Sequence, residues 1–352
     1  VRSMVNMHVP DRPSQTIVHK NGFMCLKEPV QRLPVARSLP LSLPSEFKNR
    51  LKAMNNEQSV VQGRSSTLSL PNGAGIGLRG QHIPGVIQHL PDIPWFEILA
   101  DNHLAEGGLI PHQLTAVRSS YPVTFHCVGM SIAGIDPLDM KYLQRIKDLS
   151  ERFEPAWISD HLCFTQFAKH QYHDLLPFPY SEESLNHVGE RVMRIQDYLG
   201  RVLVIENVST YLQYRASTMS EGEFLKALCQ LTGCEILLDV NNAYVNQVNH
   251  GIDAREFIRS LPTKHIRGVH LAGFEDKGEY LIDAHNNRVD GTVWELYEYL
   301  LRIHGETATL VEWDNDIPSF DVLKEEARHA QLIIDSSNKV PDSNHCQQAG
   351  VC

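Results

Sequence analysis

The sequence predicts an α/β chain folded as a (β/α)8 TIM barrel, and three observations carry that prediction. Short apolar runs of strand length alternate with stretches that repeat their apolar residues at helical spacing. About eight such units fit into roughly 260 residues, the usual size of this barrel. Finally, successive apolar runs stop at residues that can bind metals, and only parallel strands would bring all those stops to one rim. A doubly wound open sheet is the competing architecture. It would need a Gly-rich phosphate loop after the first strand, whereas Gly73-Ala74-Gly75-Ile76-Gly77 lies before and within that strand.

In chain order, residues 1–70 are rich in Pro, Ser, Arg and Lys, as in Arg37-Ser38-Leu39-Pro40-Leu41-Ser42-Leu43-Pro44. This composition predicts a disordered or leader extension with a short helix near residues 45–55, and Met54 offers an alternative start. The barrel is expected over 71–335 and a disordered tail over 336–352. Its strands are read at Ile76-Gly77-Leu78 and at Trp95-Phe96-Glu97-Ile98-Leu99, then at runs that end in His126, His161, Glu206, Asp239, His270 and Glu312. Helices are read between them. The stripe Leu138, Tyr142, Leu143, Ile146, Leu149 marks one over 137–153. Ser181-Glu182-Glu183-Ser184 starts another over 181–199, and Ser220-Glu221-Gly222-Glu223 has the form of a capping box opening 220–231. Segments 253–260, 292–304 and 319–334 complete the set.

Composition removes several function classes. A net charge of −10 argues against a nucleic-acid partner, since phosphate binding calls for a basic surface. No run of eighteen apolar residues occurs, so no transmembrane helix is expected. Residues 1–10 lack the layout of a secretory signal. The seven Cys are odd in number and form no CxxC, which excludes a zinc ribbon and fits a reducing, cytoplasmic setting.

The chemistry is read from the strand ends. A single His in such a place is usually structural. Six ionisable residues of ligand type in succession are hard to assign to packing, because burying them together without compensation is costly. Metal ions supply that compensation. Asp283-Ala284-His285 adds a carboxylate and an imidazole on one side of an extended segment. Asn249-His250-Gly251, read as a loop after Asp239, offers a further imidazole or a surface turn. The candidate ligands are thus His126, His161, Glu206, Asp239, His250, His270, Asp283, His285 and Glu312. One ion takes at most six of them, so two or three ions are expected, with a carboxylate such as Glu206 bridging. Mixed His and carboxylate donors suit iron, manganese or zinc. Cys127 and Cys163 flank donors but alternate away from them along a strand.

The motifs Asp160-His161-Leu162, Leu237-Leu238-Asp239-Val240-Asn241-Asn242, Val269-His270-Leu271-Ala272-Gly273, Leu281-Ile282-Asp283-Ala284-His285 and Val311-Glu312-Trp313-Asp314-Asn315-Asp316 closely resemble the multinuclear non-haem iron-dependent oxidase family, within the xylose-isomerase-like barrel superfamily. The resemblance spans about Gly73 to Leu332. It implies two or three irons, a Cys-containing precursor peptide made on the ribosome as substrate, O2 as oxidant and a leader-binding partner protein. It also implies Glu206, Asp239 and His270 at the catalytic heart, with Asp160, Asn207 and Asn242 orienting the ligands. The chain departs from the family after the second strand, where it reads Ala100-Asp101-Asn102-His103 in place of Ser-Glu-Asn-aromatic, which makes His103 a conceivable extra ligand. The rival expectation is a divalent-metal hydrolase or isomerase of the same superfamily using zinc or manganese.

Overall fold

The computed structural model describes residues 71–337 apart from Lys169. The expectations for residues 1–70 lie outside the described residues, as does nearly all of the expected tail. Eight parallel strands close into a barrel. They are β1 (Ala74–Gly77), β2 (Phe96–Leu99), β3 (Val123–His126), β4 (Ile158–His161), β7 (Leu203–Glu206), β8 (Glu235–Asp239), β9 (Ile266–Leu271) and β12 (Thr309–Val311). An antiparallel ribbon, β5 (Phe164–Phe167) with β6 (His170–Leu176), follows β4 directly, and a short pair, β10 (Glu275–Asp276) with β11 (Leu281–Ile282), follows β9.

The described helices are α1 (Ile83–His89), α2 (Leu109–Arg118), α3 (Met140–Phe153), α4 (Glu182–Leu199), α5 (Glu221–Thr232), α6 (Val240–His250), α7 (Ala254–Ser260), α8 (Gly291–His304) and α9 (Phe320–Ser337). The two expected N-caps hold. The Ser181 hydroxyl accepts from Ser184 N, and the Ser220 hydroxyl accepts from Glu223 N while the Glu223 carboxylate takes Ser220 N. α9 runs on to Ser337, into the stretch expected to be tail. Three helices and the β5–β6 ribbon were not expected. α6 is the instructive one, because Asn241-Asn242 reads locally as a turn. Instead, Asp239 caps a helix that begins at the next residue, its Oδ1 accepting Asn242 N at 2.6 Å.

The barrel interior is layered. Trp95, Trp157, Val204, Leu237, Ala308 and Leu310 form an apolar floor, with the two indoles edge to face at 5.4 Å. Gly75 leaves room for Trp95, since a Cβ there would lie 2.5 Å from the ring. Side chains alternate along a strand, so the inward residue two positions after a floor residue stands one layer higher. By that parity Trp95 is followed by Glu97, Val204 by Glu206, Leu237 by Asp239 and Leu310 by Glu312. The apolar plug thus supports a polar layer at the carboxyl rim.

Gly273 leaves β9 where the chain turns toward Asp283 and His285. A Cβ at this position would sit 2.3 Å from Asn287 O and 2.6 Å from Arg288 O. Both are backbone atoms and cannot rotate away. Gly273→Ala is therefore expected to cost about 1–3 kcal/mol and to displace the loop bearing His285. Thermal melts check the first part and metal binding the second; a variant matching the parent in both would contradict this account of the turn.

Candidate metal centre

Three groups of donors meet at the carboxyl rim, and each shares a carboxylate with the next. His126, His161 and Glu206 form the inner group. Glu206, Asp239, His270 and Glu312 form the central one, and His285, Glu312 and Asp314 the outer one. Glu206 belongs to the first two, Glu312 to the last two. Strand register brings these side chains together: His161 lies opposite Glu206, Asp239 opposite His270, and His270 opposite Leu310, two residues before Glu312.

In the inner group the His126 and His161 Nε2 atoms are 3.2 Å apart, and lie 3.4 and 3.6 Å from Glu206 Oε2. The Ser159 hydroxyl donates to Phe125 O, so its oxygen accepts from His126 Nδ1 at 2.9 Å. That fixes the tautomer and leaves a lone pair on Nε2, facing inward. Asp160 takes His161 N at 2.6 Å and Met130 N at 2.9 Å, which anchors the end of β4 beneath the imidazole.

In the central group His270 Nδ1 lies 2.8 Å from Glu312 Oε2 and 3.5 Å from Glu206 Oε1. Its Nε2 faces Glu97 Oε1 at 2.9 Å. Glu97 also accepts from the Thr124 hydroxyl, so it is held from two sides. A carboxylate behind the far nitrogen of a ligating imidazole both orients the ring and makes it a better donor. Asn207 pairs with the Asp239 backbone, donating to its carbonyl and accepting from its amide, both at 2.9 Å. Asn242 Nδ2 donates to Asn207 O at 3.1 Å. One Asp239 oxygen caps α6; the other, Oδ2, points into the group.

Asp283 lies behind His285. Its Oδ1 is 2.6 Å from His285 Nε2 and accepts from Asn241 Nδ2 at 2.7 Å. His285 Nδ1 is 3.3 Å from Asp314 Oδ2 and 3.5 Å from Glu312 Oε2.

Asp283 and His250, both expected as donors, lie outside the three groups, as does His103, raised only as an extra possibility. His250 ends α6, and its Nε2 lies 2.7 Å from Thr210 O and 2.8 Å from the Thr210 hydroxyl. The loop expected at this place is a helix, which carries the imidazole away to the β7–α5 connection. His103 is buried with Nδ1 3.1 Å from Leu99 O, outside all three groups. Conversely, sequence reasoning passed over Glu97, Asp314 and Arg79. Glu97 was detectable, because it shares its strand face with Trp95. Asp314 and Arg79 lie on loops, where no periodicity points to them.

Electrostatics show how much the cluster needs cations. Glu206, Asp239 and His270 are at most 1% exposed. Burial, and then the neighbouring Glu206, push the Asp239 carboxyl far above the usual range, so a nearby cation would relieve a strongly disfavoured charge. Burial works against the charged form of Glu312 too, but His270 and His285 outweigh it and hold this carboxyl far below. Glu206 Oε2, Asp239 Oδ2, His161 Nδ1, both His270 nitrogens and His285 Nε2 are buried without an aligned hydrogen-bond partner among the described residues. Each such atom costs about 1–3 kcal/mol. A set of orphaned donors of ligand type converging on shared carboxylates fits multinuclear metal binding.

Burial opposes protonation of His161, but Glu206 and Asp160 prevail and raise it to about 9. At neutral pH a metal must therefore displace this proton. Affinity at the inner group is expected to rise about tenfold per pH unit between about pH 6.5 and about pH 8.5, with proton release on binding. Metal titrations across this range, in buffers of differing ionisation enthalpy, check it. A flat affinity would count against His161 as a donor.

The family model described as RiPP precursor modification enzyme MbnB/TglH/ChrH matches residues 73–335. A UPF0276 protein of Acaryochloris marina is 46% identical over 262 residues, covering 74% of this chain and 95% of that protein. One from an Anaeromyxobacter species is 45% identical over 261 residues, covering 74% and 92%. Among solved structures, a xylose isomerase-like TIM barrel protein from Mycobacterium smegmatis in complex with magnesium superposes with a TM-score of 0.52 at 13% identity, covering 76% of this chain and 98% of that one. At that identity the likeness is one of fold.

Proposed function

The chain belongs to the MbnB/TglH/ChrH family of RiPP precursor modification enzymes, and on that premise we propose that it is a multinuclear non-haem iron enzyme that uses O2 to oxidise a cysteine of a ribosomally made precursor peptide. The observation that carries the proposal is the chain of three donor groups linked through Glu206 and Glu312. His126, His161 and Glu206 would hold one ion, and Glu206, Asp239, His270 and Glu312 a second. His285, Glu312 and Asp314 would hold a third, with Asp283 steadying His285. Zinc or manganese would fit the same donors, so metal identity is part of the test. When bound, iron supplies a site for the substrate thiolate and for reduction of dioxygen.

The protein's contribution is geometric and electrostatic. The tryptophan floor closes the barrel from below, so the peptide enters from the carboxyl rim. The central carboxylates lie out of bulk water, where fixed charges act strongly. Glu206, Asp239 and His270 take the catalytic roles at the centre, while Asp160, Asn207 and Asn242 hold them in register. At the rim Tyr211 presents an exposed ring, with its hydroxyl accepting Asp283 N at 3.1 Å. It supplies a flat apolar surface beside the outer group, suited to a peptide side chain.

Among the described residues no helix is long and apolar enough to cross a membrane. The four described cysteines are free and buried. We place the enzyme in the cytoplasm beside a leader-binding partner protein that delivers the peptide. The test is protein purified without oxygen, its metal content measured, then mixed with a Cys-containing precursor peptide and air. Two or three irons per chain and peptide-dependent oxygen uptake are expected. Zinc in place of iron, with oxygen-independent turnover of a sugar, would favour the hydrolase or isomerase reading.

A further inference from the structure

The outer donor group already has a cation beside it. Arg79 leaves β1 and folds back over Gly77, where a Cβ would lie 3.2 Å from Nη1. Its Nε donates to Trp313 O at 3.0 Å, which fixes the guanidinium. Its Nη2 pairs with Asp314 Oδ1 and lies 3.5 Å from Glu312 Oε1. Both carboxylates of the outer group therefore share a charge that arginine cannot lose. Among the described residues no Lys or Arg nitrogen pairs with Glu206 or Asp239, whose ion-pair partners are imidazoles. The outer group also differs in exposure: Asp314 stands at the rim, whereas Glu206 and Asp239 are buried.

We propose that Arg79 is a resident competitor for the outermost ion, making that ion the weakest bound and most readily exchanged while the two inner ions are held tightly. The inference rests on reading this mouth as a metal centre. Its physical basis is charge. A divalent ion held by His285, Glu312 and Asp314 would lie beside a fixed positive group and share its two carboxylates with it. The inner ion meets no such rival, and the central ion meets it only through Glu312, at 3.5 Å. Arg79 is thus a residue that sets occupancy, and the chain moves between two-ion and three-ion states as metal supply changes.

The test is an oxygen-free titration with ferrous iron, reading ions bound per chain and each dissociation constant by equilibrium dialysis. Arg79→Gln removes the charge and keeps a hydrogen-bonding end. It is expected to tighten the weakest ion by about tenfold or more, to change the central ion, which shares Glu312, by less, and to leave the inner ion within about twofold, while Arg79→Lys, which keeps the charge, stays close to the parent. Should Arg79→Gln not fold, Arg79→Met carries the same expectation. A weaker or lost outer ion in the neutral variants would show that the guanidinium orients the carboxylates, and would overturn the proposal. An unchanged affinity would overturn it as well, leaving the iron reading intact if two tight ions remain. If the parent chain binds no iron at all, the reading of the mouth falls and the role of Arg79 with it.

Discussion

Glu206→Gln is expected to abolish turnover and to remove at least one ion, with little harm to the fold. The side chain has two oxygens in two groups: Oε2 faces His126 and His161, and Oε1 faces His270. Gln has the same shape but carries no charge, and its amide would aim N–H donors at a cation. A fall in turnover of about a thousandfold corresponds to about 4 kcal/mol of lost transition-state stabilisation. The metal-free protein should behave differently. Glu206 raises Asp239, so the neutral amide relieves a like-charge contact even as it weakens the pairing to His161 and His270. Its melting temperature should therefore stay within a few degrees of the parent. The stabilisation by iron should shrink, where the parent gains about 2.7 kcal/mol per site at a hundredfold excess over Kd. Melts with and without iron, metal content and oxygen uptake check the three parts. A full metal complement with parental turnover would remove Glu206 from the mechanism.

His270→Ala is expected to destabilise the metal-free fold more than any other substitution at the rim. The imidazole stands between Glu97 at 2.9 Å, Glu312 at 2.8 Å and Glu206 at 3.5 Å, and it is fully buried. Burial opposes its charge, but those three carboxylates raise it far above the ordinary histidine range, which favours the charged imidazole among them. Removing one partner of a buried ion pair costs about 3–5 kcal/mol. In a domain of this size that corresponds to about 6–20 °C in melting temperature. The pH dependence has a definite sign. Glu312 is held below its ordinary value, so its contribution is present above about 4.5 and is lost as pH falls through its folded value. The variant lacks much of that contribution, so the gap to the parent should persist down to about 4.5 and narrow only as pH falls below it. Circular dichroism melts at several pH values check this. A constant gap would mean that the cost is lost packing rather than uncompensated charge.

Six rim residues were legible in the sequence because a barrel strand states its own parity. An apolar run that ends in a carboxylate or imidazole places that group at the carboxyl rim whatever the rest of the chain does. Asn207 and Asn242 were marked only by the family resemblance, and the structure seats both beside Asp239 and Asn207 backbone groups. Glu97 was half legible. Its parity with Trp95 points it inward, but a carboxylate inside an apolar strand reads as an exposed residue until its imidazole partner on β9 is known. His250 misled because local composition indicated a turn. The Asp239 cap converts that turn to helix, and the helix turns the ring toward Thr210.

The sequence by itself determined the barrel, the rim and the donor chemistry, because all three follow from local periodicity and residue type. Tertiary structure alone decided which candidate donors lie together. That depends on strand register, which sets His161 beside Glu206 and Asp239 beside His270, and on loops that return Asp314 and Arg79 to the same rim. Register and loop return are settled by packing across the whole barrel, over sequence separations that no local pattern encodes.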